Sequence, residues 1–236
     1  MRCATTVTRI GRAYNGPARS AHGGYACAVF ARASEFTPPV AVTLLAAPPL
    51  ESPLTVTVSG RRAFVRADDT LIASVVRVGR APTAVPFVDL ATARMGARGF
   101  RGRTEHPFPT CFVCGPDRTD GLRLAPGPVA GRRHTVACPW TPASDDPDLV
   151  WSVLDCPGGW VEQHGQRRNS LVLNRLSVVM LRQVEPGEPH VVVAERLGGR
   201  GRTVRVGSSV YTASRQLVAA GAAVWTEIPD GLRRGG

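Results

Sequence analysis

Lysine is absent from this 236-residue sequence, and all 29 of its cationic side chains are arginine. Together with the abundance of Ala, Gly and Pro, this pattern indicates the coding bias of a GC-rich genome. The formal net charge of +11 therefore does not by itself indicate a nucleic-acid partner. The arginines are scattered, and zinc-finger, RNP and helix-turn-helix signatures are missing, so we expect no nucleic-acid binding. Without lysine, a Walker P-loop is excluded.

Long apolar segments are also missing. Residues 1–20 carry Arg2, Arg9, Arg12 and Arg19 with no apolar run between them, so we expect no secretory signal peptide. No stretch approaches the length of a membrane-spanning helix. The six cysteines are irregularly spaced, which favours reduced thiols over a disulfide framework. These absences predict a soluble cytoplasmic protein with no membrane partner.

The order of predicted elements occurs twice along the chain. Residues 20–31 predict a glycine turn and a small, apolar, buried helix, and residues 148–163 predict a second helix. Each helix is followed by a meander of Val- and Thr-rich strands, which is an α+β pattern. Its recurrence predicts an old duplication. The predicted strands cover 4–10, 40–46, 54–59, 63–67 and 71–78 in the first copy, and 121–126, 132–140, 170–183, 190–197, 203–212 and 217–226 in the second.

These elements divide the chain into two predicted repeats, at residues 1–80 and 111–230. Each repeat has a Gly-Arg turn, Gly60-Arg61 or Gly201-Arg202, before its last pair of strands. Residues 81–110 between the repeats are rich in Arg, Gly and Pro, and we interpret them as a linker with solvated arginines. A phosphate-binding role for these arginines is the alternative.

The two predicted helices carry complementary polar groups. His22-Gly23-Gly24 opens the first, which has no acid, whereas Asp155 lies on the second, which has no His-Gly-Gly entrance. Because each repeat has only one of these two parts, the sequence predicts one composite site between the repeats. The N–H groups at a helix start suit an oxyanion, and a carboxylate in apolar surroundings suits a general base. Alternatively, Pro157-Gly158-Gly159 starts a new helical turn that Asp155 caps, which is a structural role.

Three passages resemble hotdog-fold thioesterases. Residues 111–122, Cys-Phe-Val-Cys-Gly-Pro-Asp-Arg-Thr-Asp-Gly-Leu, resemble the Cys-x-x-Cys-Gly entrance of phenylacetate-type (PaaI-like) acyl-CoA thioesterase relatives. Residues 153–160 resemble the helix of those proteins that carries the acidic residue. His-Gly-Gly-Tyr at 22–25 resembles the helix entrance of the wider superfamily. The resemblance implies a double hotdog fold, in which each repeat wraps an antiparallel sheet around a central helix.

The resemblance also implies hydrolysis of an acyl-CoA or related thioester. Gly23 and Gly24 would supply oxyanion N–H groups beside His22, and Asp155 would be the base or nucleophile. In the family pattern His-Gly-Gly lies nine residues before the acid. Nine residues before Asp155 is Asp146, and nine after His22 is Ala31, so each repeat has kept a different half of the pattern.

Further expectations concern the substrate and partners. Asn15, Tyr25, Trp151 and Trp160 are candidate substrate-binding residues, although core packing is the alternative for the tryptophans. No metal or redox cofactor is needed, because coenzyme A enters as part of the substrate. Exposed sheet edges make a homodimer plausible. The rival functions are acyl-CoA binding without turnover, and an enoyl-thioester hydratase or dehydratase in which His22 acts opposite the acid.

The cysteines offer weaker signals. Cys111 and Cys114 have the spacing of half a zinc site, but a second Cys-x-x-Cys is absent, and His106, Cys138 and His134 are only loosely placed to complete it. We therefore expect a tight structural turn. Cys156, next to Asp155, has no histidine placed by sequence to activate it as a nucleophile. No Gly-x-Ser-x-Gly elbow is present.

Overall fold

A computed structural model describes residues 5–162 and 170–228 of the chain. These residues form three α-helices and eleven strands, with short 3-10 turns at Arg12–Tyr14, Arg101–Arg103 and Cys156–Trp160. The helices are α1 (Gly23–Ala33), α2 (Leu90–Arg98) and α3 (Pro147–Asp155). The strands are β1 (Thr5–Thr8), β2 (Val40–Leu44), β3 (Leu54–Ser59), β4 (Arg62–Ala67), β5 (Thr70–Arg77), β6 (Gly127–Pro128), β7 (Thr135–Trp140), β8 (Ser170–Met180), β9 (His190–Arg200), β10 (Thr203–Thr212) and β11 (Leu217–Ile228).

All eleven strands belong to one antiparallel sheet, in the order β1-β3-β4-β5-β2-β8-β11-β10-β9-β7-β6. Apart from β6, this order is symmetric about its centre. From its edge inwards the first repeat contributes β1-β3-β4-β5-β2, and the second repeat contributes the corresponding strands β7-β9-β10-β11-β8. The halves meet where β2 pairs with β8, with Val40 opposite Val178 and Thr43 opposite Arg175. The chain is therefore an α+β double hotdog whose repeats are related by an approximate two-fold axis at this junction.

Equivalent turns in the two repeats have the same backbone conformation. Gly60 joins β3 to β4 with a φ of 59°, and Gly201 joins β9 to β10 with a φ of 58°. Residues with a side chain adopt this left-handed region at a cost that glycine avoids. The two Gly-Arg pairs singled out in the sequence are thus matching hairpin turns of the duplicated unit.

The two central helices pack against each other inside the sheet. α1 is buried from Gly24 to Ala31, as its small, apolar sequence predicts. One continuous hydrophobic cluster contains side chains of both repeats, including Phe30 from α1 and Leu154 from α3, each at most 1% exposed. The repeats therefore share a core, which would be split if either stood alone.

The helix starts establish how the two copies align. His22 precedes α1 and accepts a long hydrogen bond from the Tyr25 N–H. Asp146 precedes α3 and accepts a hydrogen bond of ordinary length from the Asp148 N–H. Asp146 is therefore equivalent to His22, and Asp155 to Ala31. α3 ends at Asp155 and tightens into the 3-10 turn Cys156–Trp160, where Pro157 and the two glycines follow.

Two sequence-based expectations about elements are corrected. Residues 81–110 are not only a linker, because α2 forms within them and packs on β7. Its Asp89 N-cap accepts from the Thr92 N–H at 2.8 Å, and Gly96 allows close approach to the carbonyl of Pro128. The strand expected at 121–126 is also absent from the described residues, because Arg123 has a φ of 54°, which interrupts an extended chain.

None of the described helices is both long and apolar enough to cross a membrane.

Candidate active site between the repeats

A cavity of about 380 Å³ lies beside the start of α1 and the end of α3. Its apolar wall includes Leu44, Leu171, Leu173, Trp160 and Trp225. His22, Gly23 and Asp155 also line it, so parts of both repeats meet at one cavity. The composite arrangement predicted from the sequence is therefore present in the fold.

Asp155 connects the two repeats directly. Its side chain is buried, and Oδ2 accepts a hydrogen bond of 2.7 Å from the Gly24 N–H. His22 Nε2 lies 3.6 Å from the same oxygen, which is too long for a hydrogen bond but close enough for electrostatic attraction. The other oxygen, Oδ1, is buried and has no hydrogen-bond partner among the described residues. The carboxylate thus has hydrogen-bonding capacity on Oδ1 that no described group uses.

Burial raises the pKa of the Asp155 carboxyl to about 6. The charge of His22 and the Gly24 hydrogen bond act in the opposite direction, because both favour the ionised form. Desolvation is the larger effect, as expected for a carboxyl removed from water.

Gly24 is required where the helices cross. A Cβ at this position would lie 2.5 Å from Asp155 Cβ and 2.7 Å from the carbonyl oxygen of Trp151. Both distances are shorter than real Cβ contacts, so a side chain would push α1 away from α3. The absence of a Cβ is what allows the carboxylate to reach the helix start.

Gly23 has a different environment. A Cβ there would lie 3.0 Å from Leu173 Cβ and 3.3 Å from Asp155 Oδ2, on the cavity side of the helix. Within the described part of the chain, its N–H has no hydrogen-bond acceptor. The resemblance implies that both glycines offer N–H groups to an oxyanion, but Asp155 occupies that of Gly24, and of the two described N–H groups only that of Gly23 is unoccupied.

The equivalent position on the other side of the two-fold axis carries different side chains. Asp148, which matches Gly24, accepts a 2.7 Å ion-pair hydrogen bond from Arg32, which matches Cys156. Ala31, which matches Asp155, has no carboxylate. Among the described residues, a helix entrance paired with a carboxylate therefore occurs at one of the two equivalent positions.

The alternative in which Asp155 caps its own following turn is not observed. Asp155 makes no side-chain hydrogen bond to the 3-10 turn Cys156–Trp160. Its Oδ2 accepts from the Gly24 N–H of the opposite repeat's helix instead. The contact has the chemistry of a helix cap, but it is made between repeats.

Of the four candidate substrate-binding residues, only Trp160 lines the cavity. Asn15 instead accepts from Arg118 Nη1 at 2.6 Å and donates to the carbonyl of Thr110 at 3.1 Å, holding the Cys111–Cys114 loop. Tyr25 and Trp151 do not line the cavity either. Tyr25 stacks on Tyr14 with ring centroids 3.9 Å apart, and Trp151 packs in α3 with its carbonyl against Gly24. These three positions are structural supports of the site.

Several residues that the sequence left unassigned line the cavity. Cys111, Cys114 and Cys156 are buried there, and the half-buried His106 lines the same cavity. Hydrogen bonds from Cys114 and Cys156 hold the pKa of the Cys111 thiol well below its usual range. Asn174 adds a polar group and donates to the Leu44 carbonyl at 3.3 Å. The Cys-x-x-Cys-Gly motif was the sequence signal for this side of the cavity, but nothing in the sequence linked it to Cys156.

No protein-family model matches the chain, and no curated protein matches it in sequence. Solved structures do match, over nearly the whole chain. A hot dog fold protein of unknown function from Alicyclobacillus acidocaldarius has a TM-score of 0.65 at 13% identity, covering 97% of this chain and 96% of that one. An acyl-CoA thioesterase II from Mycobacterium marinum has a TM-score of 0.55 at 14% identity, covering 96% and 94%.

A dehydratase, GphF, is similar to the same extent, with a TM-score of 0.55 at 15% identity and coverage of 96% and 94%. Proteins with this architecture thus include thioesterases and a dehydratase. At such low identities the comparisons establish the fold, and this chain is a double hotdog along its described length.

Proposed function

We propose that this protein hydrolyses an acyl-CoA or related thioester at the composite site. One observation carries the proposal: Asp155 of the second repeat is held against the α1 N-terminus of the first, at the wall of an apolar cavity. Hydrolysis of a thioester needs an acid and a backbone N–H donor at the same cavity, and Asp155 and Gly23 both line this one.

In the proposed reaction, Asp155 accepts a proton from water while the oxygen of that water attacks the thioester carbonyl carbon. The Gly23 N–H stabilises the negative charge that develops on the carbonyl oxygen, aided by the positive end of α1. The carbon–sulfur bond then breaks, the acid product forms, and the proton held by Asp155 passes to the departing thiolate. Gly24 and His22 act by fixing and orienting the carboxylate.

The chemistry of the surroundings fits a thioester with an apolar acyl group. Leucine and tryptophan side chains line the cavity near the carboxylate. The net charge of +11 attracts an anionic ligand such as coenzyme A.

We further propose a cytoplasmic location, a reaction that needs no cofactor, and, as a separate prediction, a homodimer.

A second candidate is hydration or dehydration of an enoyl thioester. The 3.6 Å separation of His22 and Asp155 favours it, since that chemistry uses a histidine and an acid facing each other. Binding without turnover is a third candidate, which the engaged Gly24 N–H favours.

A substrate panel separates these candidates. Purified protein is incubated with short, long and aromatic acyl-CoAs and with enoyl-CoAs, and free thiol and hydrated product are measured in parallel. Thiol release from saturated acyl-CoAs supports hydrolysis. Hydration without thiol release would establish the second candidate, and saturable binding without any product would establish the third; either result contradicts the proposal.

A further inference from the structure

Three thiols and an imidazole from separate segments converge beside the cavity. Cys111 and Cys114 come from the loop before Leu122, Cys156 follows α3, and His22 precedes α1. Ligand atoms of His22, Cys111 and Cys156 all lie within 4.8 Å of one another, and Cys114 Sγ lies 3.9 Å from Cys111 Sγ. All four residues are buried. The other described cysteines, Cys27 and Cys138, show no such grouping and pack as small apolar residues.

The spacing of Cys111 Sγ and Cys114 Sγ matches one edge of a tetrahedral zinc site. With Zn–S bonds of about 2.3 Å, two sulfurs on a tetrahedron are about 3.8 Å apart. The Cys111–Cys114 separation of 3.9 Å agrees with this edge. Small side-chain rotations would bring atoms that lie within 4.8 Å of one another to the same distance. Three thiolates and one histidine form a set that structural zinc sites use.

The turn that carries Cys111 and Cys114 is built to present both sulfurs to one side. Gly115 donates its N–H to the Cys111 carbonyl at 2.8 Å. A Cβ on Gly115 would lie 2.4 Å from the Pro109 carbonyl oxygen and 2.5 Å from Cys111 N, so only glycine fits. The motif is therefore a tight turn, as the sequence predicts, and that turn places two thiols next to each other.

The two histidines near the cluster have different positions. His106 Nδ1 accepts from the Phe108 N–H at 2.9 Å, so its proton is on Nε2, 3.3 Å from Cys114 Sγ. This arrangement suits an N–H donor to a sulfur ligand. His22 Nδ1 has only a 3.4 Å contact with the Tyr25 N–H, which is long for a hydrogen bond. His22 therefore gives up only this weak contact when it carries its proton on Nδ1 and binds an ion through Nε2.

We propose that Cys111, Cys114, Cys156 and His22 bind one zinc ion that joins the Cys111–Cys114 loop to the ends of both central helices. All three cysteines bind as thiolates, so each thiol that is still protonated releases its proton to solvent when the ion binds. The ion would fasten the loop that forms one wall of the cavity, beside Asp155, and would fix the His22 ring. This role is structural and is independent of whether the protein hydrolyses thioesters.

The test measures metal content without any substrate. Untagged protein is purified under reducing conditions, and its zinc is quantified by mass spectrometry. Cobalt is then added to the zinc-depleted protein, and its absorption spectrum is recorded. We expect one zinc ion per chain, and a cobalt spectrum with thiolate charge-transfer bands and the visible bands of tetrahedral coordination.

Variants assign the ligands. Cys156→Ala is expected to lose the bound zinc and the tetrahedral cobalt spectrum, whereas Cys138→Ala, which removes a buried thiol elsewhere in the core, is expected to keep both. If Cys156→Ala does not fold, the wild-type metal content and cobalt spectrum decide the question alone. Reduced wild-type protein that takes up neither metal stoichiometrically would overturn the proposal, as would metal binding that Cys156→Ala retains.

Discussion

At the composite site a single carboxylate has two tasks. Asp155 joins the repeats through Oδ2 and Gly24, and it retains Oδ1 without a partner among the described residues. A buried oxygen with no hydrogen bond is costly unless something else satisfies it. This cost indicates that the Asp155 carboxylate does not serve packing alone.

Replacement of Asp155 by Asn tests the proposed base. Asparagine keeps the shape and can still accept from the Gly24 N–H through its carbonyl oxygen, but it cannot take a proton from water. We expect turnover of acyl-CoA to fall by about 100- to 10,000-fold, the usual contribution of a general base. The measurement is kcat for thiol release, alongside thermal unfolding of both proteins.

Asp148→Asn provides the matched control, because Asp148 is a buried acid on the same helix that pairs with Arg32 outside the cavity. This variant should keep its turnover and lose some stability. Equal rates for wild type and Asp155→Asn would contradict the role of Asp155, as would an equal loss in both variants.

At the scale of elements, the crossing of α1 and α3 depends on Gly24. Gly24→Ala places a methyl group where Asp155 Cβ and the Trp151 carbonyl already lie. We expect the free energy of unfolding to fall by about 1–3 kcal/mol, as for overpacked cores. Denaturant titration measures this change, and turnover should fall with it because the carboxylate moves.

Gly79→Ala is the control for the general effect of replacing glycine. A Cβ at Gly79 has open space around it and an ordinary backbone conformation. Its stability should stay within about 0.5 kcal/mol of wild type. If the two variants were equally stable, the close packing inferred at Gly24 would be incorrect.

The strands were largely predictable from the sequence, since they alternate and are bounded by turns. The predicted ranges 54–59 and 203–212 coincide with β3 and β10. α2 was missed because glycine and arginine around it suggested a linker, although Asp89 followed by helix-forming residues was a usable signal. The false strand at 121–126 has suitable composition, but tertiary contacts set the conformation of Arg123.

The site was predictable in part. The sequence predicts that His22, the glycines and Asp155 lie together, because the two incomplete repeats complement each other, and the structure brings them together. Their catalytic roles stay predictions. Asn15, Tyr25 and Trp151 were not placed correctly, because the direction of a side chain depends on which partner packs against its element. The proximity of Cys156 to Cys111 could not be predicted either, because it depends on how the Cys111–Cys114 loop packs in the folded chain.

At the scale of the whole molecule, the sheet and core are continuous across the junction of β2 and β8. A shared core couples the repeats, so we expect a single cooperative unfolding transition. All four tryptophans lie between residues 140 and 225, so their fluorescence reports on the second repeat. Hydrogen exchange in β3–β5 reports on the first.

Both signals should change at the same denaturant concentration. A first repeat that lost its protection while the tryptophan fluorescence remained native would show that the repeats unfold separately. The shared core would then contribute less than the structure indicates.

A crystal structure of Asp155→Asn with a bound acyl-CoA tests the composite site most directly. We expect the thioester carbonyl oxygen to lie within hydrogen-bond distance of the Gly23 N–H. We also expect the side chain at position 155 to be close enough to hold a water against the carbonyl carbon. A thioester bound away from the start of α1, or a carbonyl facing away from residue 155, would show that the two repeats do not share one active site.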